Sequence, residues 1–267
     1  MTTLETDGFL SDDAVTSVAD YRARFNDLFS VAKSTNQFAL KILRSPHFAN
    51  AEEWQLISCL LTIRIVEAFE GTILLIERGM VAPATLMLRP ILEALFILGA
   101  LQADKSLVSA YHDAQARADK KKLYAAMQWK NDGLRRLSKS ADLERRYIEI
   151  KEAHKQNPPI EMTPIDWARK ATLEDFYHTY YVFYASRTHS NREALDDHID
   201  QSDHAADQID LAFGPKLDGI YDVIRNASTF CLMAIMYLGE AFELDTQEGS
   251  REIFEAIQEI DQTYNAI

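Results

Sequence analysis

A long segment with almost no charge constrains the fold of this chain more than any other feature. From Pro83 to Ala103 nearly every side chain is apolar, and Arg89 and Glu93 are the only charged residues. A helix that lacks a polar face must be covered by other parts of the protein on most of its sides. We therefore expect this segment to be the central helix. Its two charged side chains then need polar partners, because an unpaired charge is costly to bury.

Helices also dominate the rest of the predicted fold. The chain has only nine glycines and seven prolines in 267 residues, which favours long helices with short connections. We expect an all-α protein, an irregular bundle of about eight helices around a buried, proline-kinked central helix. Residues 1–10 are expected to form a flexible tail, and residues 11–267 a single helical domain. The expected helices cover residues 11–44, 51–78, 83–103, two stretches within 104–156, the aromatic run 176–184, 216–243, and a last stretch from residue 246.

Three local signals mark helix boundaries or bends. Gly79 follows the second expected helix, where helices commonly end in the left-handed conformation. Thr163 precedes Pro164, the arrangement of a cap followed by proline at the first helical position. Pro90 lies inside the central helix, where it cannot donate to the Leu86 carbonyl and should bend the helix.

The charge balance and the cysteines indicate a cytoplasmic protein. A formal net charge of −13 works against non-specific binding to nucleic acid or to anionic membranes. Cys59 and Cys231 each lie in an apolar run, which is typical of reduced thiols in a core. The N-terminal residues have no apolar leader segment, and no apolar run of spanning length lacks charge. We expect no membrane association and leave a homodimer open.

The charged pair of the central helix has two interpretations. Arg89 and Glu93 are four residues apart, so they share a helix face and can pair. Glu67, on the preceding helix, is expected to face the core as a further partner of Arg89. The cluster is either a structural ion pair at the bend caused by Pro90 or the polar centre of a functional site.

A second polar group lies in and after the aromatic run. Six of the nine residues 176–184 are aromatic, but they do not alternate with polar residues, so we predict a helix. Ser186 and His189 follow three residues apart, like a nucleophile beside a base, although the glycines that flank a nucleophilic serine in hydrolases are missing. His178 and His189 are about 16 Å apart on a continuous helix, too far to share a metal. No Glu-x-x-His pattern occurs, and we expect neither a metal nor another cofactor.

Arg192 and His198 have the loose Arg-x(4 to 6)-His spacing of the HEPN ribonucleases, a group of helical proteins common in bacterial toxin and defence systems. A structural interpretation of the same region is a capping box formed by Ser190 and Glu193. The Asp- and His-rich residues 196–204 lack the glycine and the terminal glutamate of a calcium loop. We predict a solvated loop or a short polar helix for residues 190–210.

The order of these motifs also resembles a bacterial family of helical proteins described only as a domain of unknown function. The likeness rests on Leu88-Arg89-Pro90-x-x-Glu93 and on Tyr184-Ala185-Ser186-x-x-His189-Ser190, with a glutamate-bearing helix before them, and it spans roughly residues 55–240. Pro90 departs from the small polar residue expected there. The resemblance implies a helical fold with a polar cluster and no particular reaction. The residues it implies for that cluster are Arg89, Glu93, Ser186 and His189, with Glu67 and Tyr184 in support.

Two functional hypotheses follow from these residues. The first is a metal-independent, HEPN-like ribonuclease in bacterial defence or toxicity, with RNA as its partner. His189 or His198 would then move the proton, because imidazole titrates near neutral pH, and an arginine would stabilise the phosphate charge. The second hypothesis is a binding or regulatory helical module without chemistry, which the net charge of −13 favours.

Overall fold

The structure is a computed structural model that describes residues 6–11, 14–128, 141–188, 192–196, 198–200, 210–211 and 214–264. A 3-10 turn at Gly8–Leu10 comes first, followed by α1 (Ala14–Arg24), α2 (Asn26–Leu43), α3 (Glu53–Glu77) and α4 (Val81–Ala103). A second 3-10 turn, Lys105–Leu107, leads to α5 (Val108–Met127), α6 (Ala141–Gln156) and α7 (Pro164–Lys170).

The aromatic run forms a helix in three consecutive pieces. These are Glu174–Phe176, a π-helical turn at Tyr177–Tyr181, and Val182–Arg187. We call residues 174–187 the aromatic helix. The remaining elements are α8 (Arg192–Asp196), the antiparallel pair β1 (Ile199–Asp200) and β2 (Asp210–Leu211), α9 (Ile220–Ala241) and α10 (Gln247–Tyr264).

The central position of α4 is confirmed. It packs mainly against α3 and α9, with α7 and the aromatic helix on further sides. Leu88, Leu92, Leu95 and Leu98 are fully buried in a core that extends from α2 to α10. Helix α4 is long and apolar enough to cross a membrane by length and composition, but 67% of its most apolar window is buried inside the protein. That degree of cover is typical of a core helix.

The all-α prediction is confirmed, and β1 and β2, two residues each, are the only strands in the described part of the chain. Cys59 and Cys231 are buried free thiols, as expected. One face of α10 packs inward, since Ile253, Ile257 and Ile260 are buried.

Some boundaries differ from the prediction. The first expected helix is divided at Phe25 into α1 and α2. Within residues 1–10, which were expected to form a tail, Gly8–Leu10 form a 3-10 turn, and the Phe9 backbone carbonyl accepts a hydrogen bond from Arg78 at 3.1 Å. Helix α4 continues through Pro90, and the bend expected there stays a prediction. The aromatic helix was expected, but its π-helical turn was not.

Gly79 ends α3 in the way that its position predicts. Its φ is +69°, in the left-handed region. The Met80 amide donates to the Leu75 carbonyl at 3.0 Å, and the Gly79 amide donates to the Ile76 carbonyl at 2.8 Å, the two bonds of a Schellman motif. A Cβ at Gly79 would lie 2.6 Å from Pro215 Cβ. This tight turn reverses the direction of the chain, so that α4 runs back along α3.

We expect Gly79→Ala to lower the free energy of unfolding by about 1–2 kcal/mol from the left-handed backbone alone, with a further loss from the contact with Pro215. Gly71→Ala is the matched control, because a Cβ there would meet Met87 Cε at an ordinary 3.7 Å within α3. The free energy of unfolding of this control should rise by about 0.5–1 kcal/mol. Urea denaturation monitored by circular dichroism measures both. A loss in the control, or no loss in Gly79→Ala, would contradict the role of this turn.

Candidate functional site

The Arg89 guanidinium lies at the centre of a polar cluster between α4 and the aromatic helix. Its Nε donates to Glu93 Oε1 at 3.0 Å, as their spacing predicts. Its Nη1 donates to Thr188 Oγ1 at 3.1 Å, and its Nη2 donates to the Tyr181 hydroxyl at 3.4 Å. The Tyr181 hydroxyl donates in turn to Glu93 Oε1 at 2.9 Å. We call these four residues the Arg89 cluster.

The Arg89 cluster is less buried than we expected. The side chains of Arg89 and Glu93 are 26% and 40% exposed, so the expected burial of this pair is only partial. Partial burial opposes the charge of Arg89, but hydrogen bonds and attraction to Glu93 and Tyr181 outweigh it and raise its pKa. Burial, helped by the hydrogen bond to Glu93, also raises the pKa of Tyr181. Arg89 and Tyr181 therefore keep their protons at neutral pH and act as hydrogen-bond donors.

The other residues expected in this cluster have different positions. Glu67 is exposed, so the prediction that it faces the core beside Arg89 is wrong. The Ser186 hydroxyl donates to the Phe183 carbonyl at 2.8 Å, within its own helix. His189 lies outside the described residues, and its place in the cluster stays a prediction.

Tyr181 and Thr188 are the two members of the cluster that the sequence analysis missed. They are seven residues apart, close to two helical turns, and therefore lie on one side of the aromatic helix. Thr188 also donates to the Tyr184 carbonyl at 2.9 Å, which orients its hydroxyl oxygen toward Arg89. The sequence shows this spacing. It does not show which of the several tyrosines in the aromatic run faces α4.

A second polar network joins the aromatic helix to α9. Arg225 forms a two-pronged ion pair with Asp261 of α10, at 3.2 and 3.0 Å. Hydrogen bonding to Asp261 raises the pKa of Arg225 despite its partial burial. Arg225 Nη1 also donates to Asn226 Oδ1 at 3.1 Å, and Asn226 Nδ2 donates to the Tyr184 hydroxyl at 2.8 Å. Tyr184, which was expected to support the Arg89 cluster, is buried, and its hydroxyl bonds to Asn226 of α9 instead.

A cavity of about 600 Å³ opens beside this network, between the N-terminal ends of α4 and α9 and the aromatic helix. Tyr184 and Asn226 are buried residues of its lining. Its charged lining residues are Arg187, Lys216, Asp218 and Asp222. Tyr180 and Phe183 add aromatic surface, and the Arg187 guanidinium lies 4.7 Å from the centre of the Phe183 ring.

The Tyr184 hydroxyl can donate a hydrogen bond that it does not make to the described residues. Burial raises its pKa to about 12, so the hydroxyl is protonated at neutral pH. It accepts a hydrogen bond from Asn226, and its own proton makes no hydrogen bond to the described residues. A buried donor without an acceptor costs free energy, and a bound molecule would recover it.

The pair with ribonuclease-like spacing lies on the surface. Arg192 begins α8, and His198 follows that helix; both side chains are exposed. Ile199, the next residue, belongs to the cavity lining. Among the described residues, no three His, Cys, Asp or Glu side chains lie close enough to hold a metal ion.

Fold and site together define an all-helical protein with a polar clamp between its central helix and its aromatic helix. The sequence model of a family of unknown function, DUF5677, matches residues 55–207, more than half of the chain. The chain belongs to this family, which confirms the expected resemblance to a family without an assigned activity. The matched span includes the whole Arg89 cluster. Neither the curated proteins nor the solved structures contain a match to the chain.

Removing the Tyr181 hydroxyl tests whether the Arg89 cluster helps to hold the aromatic helix against α4. We expect Tyr181→Phe to lower the free energy of unfolding by about 1 kcal/mol, because Glu93 and Arg89 each lose a partner. Tyr177→Phe is the control, since Tyr177 stacks on Tyr181 at 5.0 Å and has no hydrogen bond through its hydroxyl to a described residue. Equilibrium denaturation of both variants gives the comparison. Equal losses would show that the hydroxyl contacts add nothing.

Proposed function

We propose that this chain is a helical binding module and that the cavity beside Tyr184 receives a small ligand with an aromatic ring and a phosphate. The observation that carries the proposal is the unused donor of the buried Tyr184 hydroxyl in a cavity with aromatic and cationic lining. The volume, about 600 Å³, is within the range of small-molecule sites.

The chemistry of the lining suits a nucleotide. Tyr180 and Phe183 offer ring surfaces, and aromatic faces stack on nucleobases. Arg187 and Lys216 supply positive charge for a phosphate group. Asp218 and Asp222 accept hydrogen bonds, as carboxylates do from ribose hydroxyls in other nucleotide sites.

The charge of the chain favours a single nucleotide over a long nucleic acid. Affinity for a polyanion comes largely from neutralising many phosphates with lysine and arginine. Here the net charge is −13, and the described residues of the cavity lining include two cationic and two anionic ones. One phosphate can be held locally by Arg187 and Lys216, whereas a long polyanion would be repelled by a chain of net charge −13.

Titration calorimetry with adenosine monophosphate and with adenosine tests the proposal. We expect the monophosphate to bind more tightly than the nucleoside, and Lys216→Ala to remove most of that difference. Tyr184→Phe should weaken monophosphate binding about tenfold, which corresponds to the loss of one buried hydrogen bond. The variant also leaves Asn226 without its acceptor, so its folding is verified by thermal denaturation before the titration.

Tyr124→Phe serves as the matched control for Tyr184→Phe. Tyr124 is 53% exposed on α5, is not part of the cavity lining and contacts the Tyr147 ring. Its variant should bind adenosine monophosphate like the unmodified protein. If the unmodified protein binds neither probe, or if a folded Tyr184→Phe binds as well as the control, the nucleotide proposal is wrong.

Metal-independent cleavage of RNA is a second candidate, because His198 is exposed and directly precedes Ile199 of the cavity lining in the chain. In this candidate His198 would be the group that moves the proton. In such a reaction the ribose hydroxyl attacks phosphorus, the bond to the next nucleotide breaks, and a cyclic phosphodiester end remains. One group removes the hydroxyl proton, and another protonates the leaving oxygen.

Incubation with a short single-stranded RNA in the presence of EDTA distinguishes this candidate from simple binding. A ribonuclease should release fragments with cyclic phosphodiester ends, and His198→Ala should reduce the rate at least about a hundredfold. His112→Ala is the control, because His112 is half exposed on α5 and pairs with Glu53 away from the cavity. Intact RNA after incubation, or equal rates for the two variants, would leave binding alone as the function.

A further inference from the structure

The outward face of α3 presents a regular row of exposed apolar side chains. Leu56, Leu60, Ile63 and Leu74 are 41%, 66%, 38% and 62% exposed. With Glu67 and Glu70 they follow alternating spacings of four and three residues, the pattern of a coiled-coil seam. Scattered exposed leucines are normal on a protein surface, but a row of about 27 Å along one helix marks an interaction surface. We call these six residues the α3 seam.

Charges within and beside the α3 seam limit what can bind there. Glu67 lies in the middle of the seam, and exposed Arg64 lies next to it. Neither side chain has an ion-pair partner within the part of the chain that the structure describes. The two carboxylates of the seam and the net charge of −13 oppose docking on an anionic bilayer. A protein partner with the reverse order of charges fits better.

We propose that the partner of the α3 seam is the α3 seam of a second copy of this chain, packed antiparallel. A two-fold axis near the middle of the helix brings Leu56 of one copy opposite Leu74 of the other. The same register brings Glu67 of each copy opposite Ile63 and beside Arg64 of the partner. An interface between identical surfaces must be self-complementary in this way.

The charges decide between this arrangement and a parallel one. In a parallel pair each residue faces its own copy, so Glu67 would face Glu67 and Glu70 would face Glu70 inside the seam. Like charges that face each other are destabilising. In the antiparallel pair Glu67 of each copy lies beside Arg64 of its partner, which gives two pairs of opposite charge, and Glu70 lies opposite Leu60 instead of a second carboxylate. One helix per copy gives a modest interface, so the dimer should dissociate on dilution.

Sedimentation velocity of the full chain over a concentration series tests the proposal. We expect a reversible dimer, and we expect Leu60→Glu to be monomeric at every concentration. Arg64→Glu should weaken dimerisation about tenfold, because two ion pairs become repulsive contacts. The double variant Arg64→Glu with Glu67→Arg reverses both partners, so it should restore most of the lost affinity.

Ile148→Glu is the matched control, because Ile148 is 51% exposed on α6, outside the α3 seam. It should dimerise like the unmodified chain, and circular dichroism confirms that each variant is folded. The proposal is overturned if the unmodified chain is monomeric throughout, or if Leu60→Glu still dimerises. It is also overturned if the double variant is as weak as Arg64→Glu, because the charges would then not meet across copies.

Discussion

The need to cover α4 on most of its sides determines how the other helices are arranged. Each fully buried leucine of α4 stabilises the fold by about 1.5–3 kcal/mol, whereas a partly exposed ion pair such as Arg89 with Glu93 contributes about 0–1 kcal/mol. Apolar burial therefore holds α3, α7 and α9 against α4. The polar pair lies on the side that the aromatic helix approaches, where cover is incomplete, and it positions that helix rather than stabilising the whole protein.

Sequence patterns were sufficient wherever one local rule acted alone. The nearly uncharged run predicted α4, the position of Gly79 predicted the end of α3, and the spacing of Arg89 and Glu93 predicted their contact. The prediction for Glu67 was wrong because α3 is apolar on two sides. Periodicity identifies an apolar stripe, but it does not indicate which neighbouring helix covers that stripe. The inner side of α3 packs on α4 and α9, which leaves Glu67 outside. Only the folded arrangement distinguishes the two sides.

The aromatic helix connects the two polar regions of the molecule. Tyr181 and Thr188 bond to α4, whereas Tyr180 and Tyr184 face α9 and the cavity. Aromatic packing supports both sides, with Phe96 of α4 6.0 Å from the Tyr181 ring and Phe230 of α9 5.4 Å from the Tyr180 ring. A cavity wall held from two directions is preorganised, so a ligand need not provide the free energy to order it. The α3 seam belongs to another element, and the described residues of the cavity lining include none of its side chains.

Because of the π-helical turn at Tyr177–Tyr181, the gain or loss of one residue would change which side chains the aromatic helix presents to its neighbours. The Val182 amide bonds to the Tyr177 carbonyl, so the turn holds one residue more than an α-helical turn. Loss of a single codon within it would restore ordinary winding and rotate every later residue by about 100° around the helix axis. Thr188 would leave Arg89, and a different set of side chains would face the cavity. One short deletion or insertion would therefore change which side chains this helix presents to α4, to α9 and to the cavity.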